Sequence, residues 1–310
     1  MPVGLSVATF NVKDLLPPAS DPARAALPAK LDWIARMLRA ADADVVGLQE
    51  VGSAELLAAV AERMGSPTAL YQVMGTTDAR GIGCALLSRL PVLEARVHTA
   101  ESLAFPVFVT GDAQPFGARI PLRRGIVHAR VETPVGPVDV LVAHFKSSRP
   151  VGVRDASNRE VPPRTARETA DASLRSLVWR AAEALYVRGL VDQILEARPG
   201  ARVAVTGDFN DVPDSTVLRC LRASDGAGEG PGANSGIAAL ADCTTGVDPA
   251  RRFSCLHRDS RVQIDHVLAS ESLRALLVGA RFFNDALRVH DVTDALAPDS
   301  DHAPLVVRFG

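Results

Sequence analysis

The sequence has little lysine, little cysteine and few aromatic residues, and these shortages restrict what it can do. Lysine occurs only at positions 13, 30 and 146, and the formal net charge is −2, so no overall positive field is present to collect nucleic acid. The 34 basic residues, mostly arginine, still allow a local basic groove. The four cysteines contain no C-x-x-C pair, which argues against a cysteine-based zinc site.

Long apolar runs are missing as well. No run approaches the roughly 18–20 residues of a membrane span. The start, MPVGLSVATFNV, enters an alternating strand pattern without the basic and apolar regions of a signal peptide. We therefore expect no transmembrane segment and a cytoplasmic protein, although a secreted protein whose leader had been removed would read the same. In an oxidising compartment Cys243 and Cys255 could form a disulfide.

Apolar residues recur mostly with a period of two, so the pattern predicts more strands than helices. Strands are expected at 5–12, 44–51, 69–74, 82–89, 92–98, 125–133, 138–146, from 203, and at 252–257, 262–268, 279–284 and 304–309. Helices are expected at 28–41 with Pro28 in the first turn, at 53–65 between Ser53 and Gly65, and at 171–197. The stretches 147–170 and 225–236 are expected to be loops.

The order of these elements predicts the architecture. Hairpins outnumber strand–helix–strand units, which favours two stacked mixed sheets with helices outside. The sequence contains no repeat of fixed period and no break in composition, so residues 1–310 are expected to form one domain.

Polar residues stand at the ends of several apolar strands. They are Asn11, Glu50, His144, Lys146, Asp208, Asn210, Asp265, Asp301 and His302. A single acid after a strand is usually a turn residue or a helix cap, and VAVTGDFNDVPDS at 203–215 also reads as a polar turn. So many polar ends together favour a ligand site, because layered α/β folds bind ligands where strand ends converge.

Seven segments match, in the same order, the sequence motifs of a known family: TFNV, VVGLQEV, RGIGCALLSRLPV, AHFKS, VTGDFNDVPDS, IDHVLAS and SDHAPLVV. The chain resembles the endonuclease/exonuclease/phosphatase superfamily, which includes deoxyribonuclease I, AP endonucleases, bacterial sphingomyelinases and inositol polyphosphate 5-phosphatases. The resemblance implies an α/β fold, a four-layer α/β/β/α sandwich of two packed mixed sheets flanked by helices. It also implies hydrolysis of phosphate esters with Mg²⁺, or with Mn²⁺ or Ca²⁺.

The resemblance assigns a metal site and an acid–imidazole pair. Glu50 is expected to be the main metal ligand, helped by Asn11 and Asp301, and hard oxygen ligands suit Mg²⁺. Asp265 is expected to orient His302 and to raise the pKa of its imidazole. His302 would then act as a base toward water or as a cationic clamp on the phosphate.

Five more residues complete the expected site. Asp208 is the rival base or a further metal ligand. Asn210 is expected to donate to a phosphoryl oxygen, and His144 to do the same or to protonate the leaving oxygen. Arg124 and Lys146 are candidate phosphate contacts, with solvated charges at a strand edge as the simpler interpretation.

Other residues near these motifs have weaker expectations. Either Asp78 or Arg80 is expected to orient His144. His266 is expected to face the opposite side from its neighbour, because adjacent strand residues point in opposite directions. Asp211 is expected to cap the turn and the helix that follow it.

The motifs define the substrate class less well. AHFKSS has a histidine where AP endonucleases carry a tyrosine, which resembles deoxyribonuclease I, the sphingomyelinases and several bacterial nucleases. Two Trp and two Tyr give no aromatic hairpin of the sphingomyelinase kind, and no basic block of the 5-phosphatase kind is evident. The arginines of 147–170 either bind phosphate or lie on a solvated loop; they are Arg149, Arg154, Arg159, Arg164 and Arg167.

The first expectation is therefore a divalent-metal-dependent phosphodiesterase, most simply a nuclease. The alternative is a phosphomonoesterase, or a sphingomyelinase- or phospholipase-type hydrolase acting on inositol phosphates or lipids. A third alternative, a silent binding module, is disfavoured because the set of polar residues is intact. Nucleic acid or another phosphodiester is the expected partner, and no obligate protein partner is expected.

Overall fold

Short strands and a few helices make up the computed structural model, which describes residues 4–65, 69–157, 159–223, 239–257 and 260–310. The strands are β1 (Leu5–Leu15), β2 (Val45–Val51), β3 (Tyr71–Met74), β4 (Gly83–Ser88), β5 (Val92–His98), β6 (Ile126–Val131), β7 (Val138–His144), β8 (Val153–Arg154), β9 (Glu160–Val161), β10 (Arg202–Asp208), β11 (Ala241–Asp242), β12 (Cys255–His257), β13 (Ser260–Val262), β14 (Asp265–Ala269), β15 (Leu277–Phe282) and β16 (Leu305–Phe309). The helices are α1 (Asp21–Ala41), α2 (Ala54–Met64), α3 (Ala166–Ala197), α4 (Thr216–Arg222) and α5 (Glu271–Arg274).

Most of the strands belong to two six-stranded mixed sheets. The first sheet has the order β15-β16-β1-β2-β4-β3, and the second has the order β11-β14-β10-β7-β6-β5. In the first sheet β1 and β2 run parallel, and in the second β7 and β10 do. Because parallel strands point the same way, β1 and β2 end at one edge of their sheet, and β7 and β10 at one edge of theirs.

Apolar side chains fill three layers between and around the sheets. Val7 and Val140 belong to the core between the two sheets. Leu38 of α1 and Leu57 of α2 cover the outer face of the first sheet, and Val191 of α3 covers the outer face of the second. The expected four-layer α/β/β/α sandwich is therefore confirmed.

Two glycines allow the strands that lead to the polar edge to approach closely. A Cβ on Gly207 of β10 would lie 1.8 Å from the carbonyl oxygen of Ala143 in β7, and Gly207 has a φ of +151°. A Cβ on Gly47 of β2 would lie 2.9 Å from both Cγ atoms of Val142 in the opposite sheet. Both positions need a residue without a side chain.

The prediction for the start of the first helix was wrong. Helix α1 begins at Asp21, where the side chain of Ser20 accepts a hydrogen bond from the Ala23 amide at 3.3 Å and Pro22 occupies the first turn. Pro28 lies inside the helix. The helix starts at a capping serine followed by proline, which lies upstream of Pro28, the proline predicted to occupy the first turn.

The predicted loop 147–170 is partly ordered into regular structure. It contains the two-stranded hairpin β8–β9, and α3 begins within it at Ala166. The side chain of Thr165 accepts from the Glu168 amide at 3.1 Å, which caps α3 before the expected start at 171. The predicted glycine-rich loop 225–236 lies outside the described residues.

Asp211 does not cap the helix that follows it. Helix α4 is capped by Ser215, and the Asp211 carboxylate accepts from Nε of Arg180 at 2.9 Å. His266 points away from Asp265, as expected. Its ring stacks on Phe209 at 5.3 Å, and its Nε2 lies 2.9 Å from the carbonyl oxygen of Asp211.

The remaining predictions concern covalent links, membranes and domains. All four cysteines are free, so Cys243 and Cys255 are not joined. None of the helices in the described ranges is long and apolar enough to cross a membrane. The assignment of 1–310 to one domain stays a prediction.

Candidate active site

The ends of β1, β2 and β10 place three polar side chains in contact. The Asn11 amide Nδ2 donates to Oδ2 of Asp208 at 3.0 Å and to Oε1 of Glu50 at 3.3 Å. The Oδ1 of Asn11 accepts from the Lys13 amide at 2.9 Å. Asn11 thus joins two carboxylates that come from opposite sheets.

Two of the site residues adopt a left-handed backbone conformation. The φ of Glu50 is +66° and that of Asn210 is +53°, both uncommon for residues other than glycine. The pairing of β1 with β2 shifts register beyond Asn11, and Oε2 of Glu50 accepts from the Asp14 amide at 2.8 Å. Because such conformations concentrate at functional sites, they support a functional role for this edge.

Two imidazoles flank the Asp208 carboxylate. Nε2 of His144, at the end of β7, lies 3.4 Å from Oδ2 of Asp208 and 4.0 Å from Oε1 of Glu50. Nε2 of His302 lies 3.9 Å from the same Oδ2 of Asp208. A single carboxylate oxygen therefore has a ring nitrogen of each histidine near it.

His302 is paired with Asp265. Its Nδ1 lies 2.7 Å from Oδ2 of Asp265, and both side chains are buried. Ser300 ties this segment to the site, because its hydroxyl donates to the Asn11 carbonyl at 2.8 Å and accepts from the His302 amide at 3.1 Å. Ser300 lies within the motif SDHAPLVV but was not among the predicted site residues.

Burial and neighbouring charges shift the pKa values of the site in opposite directions. Burial raises the pKa of Asp208 to about 7, although the His302 charge works against the shift. Burial alone would lower the pKa of His302, but the charges of Asp265 and Asp208 outweigh it and raise that pKa well above 6.5. Burial and the Arg124 charge hold the pKa of His144 well below 6.5. At neutral pH, His302 is then cationic and His144 is neutral.

Asn210 connects the ends of β7 and β10. Its amide Nδ2 donates to the Phe145 carbonyl at 3.1 Å, and its backbone amide donates to Oδ1 of Asp208 at 2.9 Å. The Asn210 side chain is therefore beside Asp208, and one of its N–H groups is already bound to the main chain.

The two candidate phosphate contacts are buried, so neither is a solvated charge at a strand edge. Nε of Arg124 donates to Oδ2 of Asp78 at 3.2 Å, and its Nη1 donates to main-chain carbonyls at the end of β7. Nζ of Lys146 donates to the carbonyls of Ser147 at 2.8 Å and Arg149 at 3.0 Å. Burial lowers the pKa of Lys146 to about 8, and Arg123 adds to the shift.

Asp301 and Asp78 each pair with a basic side chain. Asp301 is half-buried, with Oδ2 3.7 Å from Nζ of Lys13. Asp78 accepts from Arg124 and from the backbone amide of Arg80 at 2.8 Å. Nδ1 of His144 is buried and has no hydrogen-bond partner within the described ranges. Within the described ranges, no hydrogen bond or ion pair joins Asp78 or Arg80 to the His144 ring.

One residue next to the site gave no signal in the sequence. Glu183 of α3 is buried, and its Oε2 accepts from the Lys146 amide at 2.6 Å. Burial raises the pKa of Glu183 to about 7. A glutamate on a helix that is rich in charged residues reads as a surface residue, so only the tertiary structure reveals this contact.

The residues at this edge fit a hard divalent cation. The carboxylates of Glu50 and Asp208 supply oxygen donors, which Mg²⁺ prefers. Oδ1 of Asp265 is buried and has no hydrogen-bond partner in the described part of the chain. Ligand atoms of Asp208, Asp265 and His302 all lie within 4.8 Å of one another. A cation here would offset the cost of burying several carboxylates.

Comparison with known proteins identifies relatives of this fold. The sequence matches the Endonuclease/Exonuclease/phosphatase family over residues 8–302. No curated protein matches the sequence significantly.

Three solved structures illustrate the similarity of fold. Truncated TDP2 of Caenorhabditis elegans is 16% identical with a TM-score of 0.56, covering 99% of this chain and 97% of its own. A 3'-5' exonuclease of Neisseria meningitidis is 19% identical with a TM-score of 0.58, covering 98% and 99%. A mannosyl-6-phosphatase of Bacteroides thetaiotaomicron is 18% identical with a TM-score of 0.58, covering 98% of each chain.

The structural similarity establishes a shared fold. The sequence identities are too low to define the substrate of this protein. Enzymes of the family hydrolyse phosphoesters and typically depend on a divalent metal. The match over nearly the whole chain, together with the two-sheet sandwich, shows that this chain belongs to the endonuclease/exonuclease/phosphatase family.

Proposed function

We propose that this protein is a divalent-metal-dependent phosphodiesterase and acts as a nuclease. The arrangement around Asp208 carries the proposal, since its Oδ2 lies 3.4 Å from Nε2 of His144 and 3.9 Å from Nε2 of His302. A carboxylate that can accept a proton from water and a cationic imidazole that can bind a phosphoryl oxygen are groups that hydrolysis of a phosphate ester can use.

The proposal gives the two histidines different tasks. Cationic His302, oriented by Asp265, donates a hydrogen bond to a phosphoryl oxygen and stabilises the charge that develops there. Neutral His144 donates from Nε2 to a phosphoryl oxygen without changing the protonation state of its own ring; because this hydrogen bond strengthens as charge develops in the transition state, it acts on kcat more than on KM. Because its pKa is held low, His144 is poorly suited to protonate the leaving oxygen near neutral pH.

Asp208 is the proposed base. With a pKa of about 7, a substantial fraction of its carboxyl groups is ionised at neutral pH and can accept a proton from the attacking water. Glu50 would hold the metal, and Asn11 fixes its carboxylate next to Asp208. Mg²⁺ is the proposed ion, and Mn²⁺ or Ca²⁺ are the alternatives. A bound divalent cation neutralises negative charge on the phosphoryl group.

A diester is favoured over a monoester by the state of the nearby cations. A monoester dianion needs more positive charge than a diester does, and Arg124 and Lys146 both use donors to bind protein oxygens.

One observation favours the second candidate, phosphomonoester hydrolysis. Arg80 and Arg123 add positive charge close enough to lower the pKa of His144, and they could contact the extra charge of a monoester.

Hydrolysis of three substrates tests the proposal: bis(p-nitrophenyl) phosphate, supercoiled plasmid and p-nitrophenyl phosphate, each with Mg²⁺, Mn²⁺ or EDTA. We expect metal-dependent cleavage of both diesters and its loss in His302→Ala and Glu50→Ala. The exposed residues His257 and Glu94 provide matched alanine controls, which should retain activity.

Each result has a separate meaning. Cleavage of the small diester without the plasmid would overturn the nuclease proposal and leave a phosphodiesterase for lipids or small metabolites. Cleavage confined to p-nitrophenyl phosphate would favour the phosphomonoesterase. Absence of activity on all three substrates with each metal would contradict the proposal.

A further inference from the structure

Buried charged side chains form hydrogen bonds with the main chain at the end of β7 and just after it. Strand β7 ends at His144, opposite Asp208 of β10. Beyond this point Nη1 of Arg124 donates to the carbonyl of His144 at 3.1 Å and to the carbonyl of Phe145 at 3.2 Å. The same guanidinium is fixed by Asp78, whose Oδ2 lies 3.2 Å from both Nε and Nη2.

Two side chains of helix α3 form hydrogen bonds with the main chain of the following residue, Lys146. The Lys146 amide donates to Oε2 of Glu183 at 2.6 Å, and Nη1 of Arg180 donates to the Lys146 carbonyl at 3.3 Å. Arg180 is held in turn by Asp211, with Nε 2.9 Å from Oδ2. Two residues one helical turn apart therefore bind both main-chain polar groups of a single residue, Lys146.

The two active-site histidines are oriented in different ways. Nδ1 of His302 is bound by the carboxylate of Asp265 at 2.7 Å. Nδ1 of His144 is buried and has no such partner within the described residues. An imidazole without a carboxylate on its other nitrogen depends on its backbone and its packing for its direction. For His144 that backbone is the one Arg124 binds.

We propose that Arg124, fixed by Asp78, is a positioning residue that aims His144 through the main chain, with Glu183 in a supporting role, and that it is not a phosphate ligand. The assignment of a catalytic task to His144 rests on the proposed function; the positioning itself does not. A guanidinium presents five donors on three nitrogens in a planar fork, so one edge can bind a carboxylate while another nitrogen binds two carbonyls; the three donors of an ammonium share one nitrogen and do not reproduce that spacing. The burial of Arg124 and its commitment to three oxygen atoms leave it poorly placed to bind substrate.

Arg124→Lys separates positioning from phosphate binding, because it keeps the charge and removes the fork. Positioning predicts that kcat falls by about tenfold or more, with KM nearly unchanged and the same factor on bis(p-nitrophenyl) phosphate and plasmid, since misplacement of a catalytic group acts on the chemical step. A phosphate ligand predicts a rise in KM that is larger on the polyanionic plasmid. That second pattern would overturn the proposal.

Arg198→Lys is the matched control. Arg198 also binds a buried carboxylate of β7, with Nη2 2.8 Å from both oxygens of Asp139, but at the opposite end of the strand. It should leave kcat unchanged. An equal loss in both variants would mean that the effect is one of general stability and would overturn the proposal.

An NMR measurement that does not depend on activity separates the positioning role of Arg124 from the proposed phosphodiesterase function. In ¹⁵N-edited NMR of the histidine side chains, Arg124→Lys should shift or broaden the His144 imidazole signals and leave those of His302 in place. Unchanged His144 signals would overturn the positioning role whatever the kinetics. A wild-type protein that shows this shift but hydrolyses no substrate would contradict the proposed function alone.

Glu183 gives a second route if Arg124→Lys does not fold. Glu183→Ala removes the acceptor of the Lys146 amide, and Glu183→Gln retains an oxygen acceptor without the charge. We expect Glu183→Ala to shift the His144 signals and to lower kcat, and Glu183→Gln to restore most of both. Equal behaviour of the two variants would show that the hydrogen bond to Lys146 does not position His144.

Discussion

The imidazole of His302 and the carboxylate of Asp265 form a buried pair, with Nδ1 2.7 Å from Oδ2. Burial by itself would lower the pKa of His302, so its rise well above 6.5 comes from the neighbouring carboxylates, first among them Asp265. The cationic state that the mechanism needs therefore depends on the charge of Asp265.

Asp265→Asn should move the alkaline limb of the kcat–pH profile to lower pH. The substitution takes away the charge that favours the imidazolium, so His302 loses its proton at a lower pH than in the wild type. At pH 8 we expect kcat to fall by about tenfold or more. The measurement is kcat for bis(p-nitrophenyl) phosphate between pH 5 and 9, chosen as a range around neutrality.

Asp139→Asn is the control for this substitution. Oδ1 of Asp139 lies 2.9 Å from Nε2 of His128, which gives a second buried acid next to a histidine, outside the candidate site. Its profile should match that of the wild type. An alkaline limb that stays in place in Asp265→Asn would show that the protonation of His302 is not required.

Glu50→Gln should weaken the metal dependence without removing the fold. The substitution keeps the size of the side chain and deletes one negative charge from the proposed metal ligands, so the Mg²⁺ concentration for half-maximal activity should rise by about tenfold or more. Isothermal calorimetry of Mg²⁺ and Mn²⁺ binding measures the same loss without substrate. Glu94→Gln, at an exposed position of β5, should behave as the wild type, and an unchanged Mg²⁺ requirement in Glu50→Gln would remove Glu50 from the metal site.

The sequence predicts much of this site because polar residues follow apolar strands, and the register of two parallel pairs brings those strand ends together. Asp208 and Asn210 show this relation: a buried strand leads to them, Asp208 lies beside His144, and Asn210 donates to the carbonyl of Phe145, the next residue. Contacts of long side chains are harder to predict. Arg124 reads as a phosphate contact or a solvated charge, and its guanidinium instead binds Asp78 and main-chain oxygens.

The starts of helices, and the contacts that side chains on helices make with distant segments, are also hard to predict from the sequence. The start of α1 was misplaced because two prolines, Pro22 and Pro28, satisfy the same rule, and only the contact of Ser20 with the following turn distinguishes them. Glu183 was missed because its partner lies 37 residues earlier in the chain. No local pattern encodes a pairing of that kind.

Glu183→Gln should change how stability depends on pH. Burial raises the pKa of Glu183 from 4.5 to about 7, so the folded state holds this proton more tightly than the unfolded state. In the wild type the group therefore costs stability as pH rises from 4.5 to 7, and the cost persists above that range. Relative to the wild type, the free energy of unfolding of Glu183→Gln should increase by about 3 kcal/mol across this window.

Urea unfolding of both proteins at a series of pH values measures this difference. Glu196→Gln, at an exposed position of the same helix, should follow the wild type at every pH. A constant difference between Glu183→Gln and the wild type from acid to neutral pH would mean that Glu183 titrates alike in the folded and unfolded states.

Gly207→Ala should destabilise the protein at the centre of the second sheet. An added Cβ would lie 1.8 Å from the carbonyl oxygen of Ala143, so β7 and β10 would have to separate next to His144 and Asp208. We expect a loss of about 3 kcal/mol or more in the free energy of unfolding, since overpacking of a rigid backbone contact adds to the strain of a positive φ. Urea unfolding measures the loss.

Gly189→Ala is the control, because a Cβ there meets nothing within 4 Å and alanine favours a helix, so stability should rise by about 0.5–1 kcal/mol. If Gly207→Ala unfolds at the same urea concentration as the wild type, the close approach of these two strands is not what fixes the distance between His144 and Asp208.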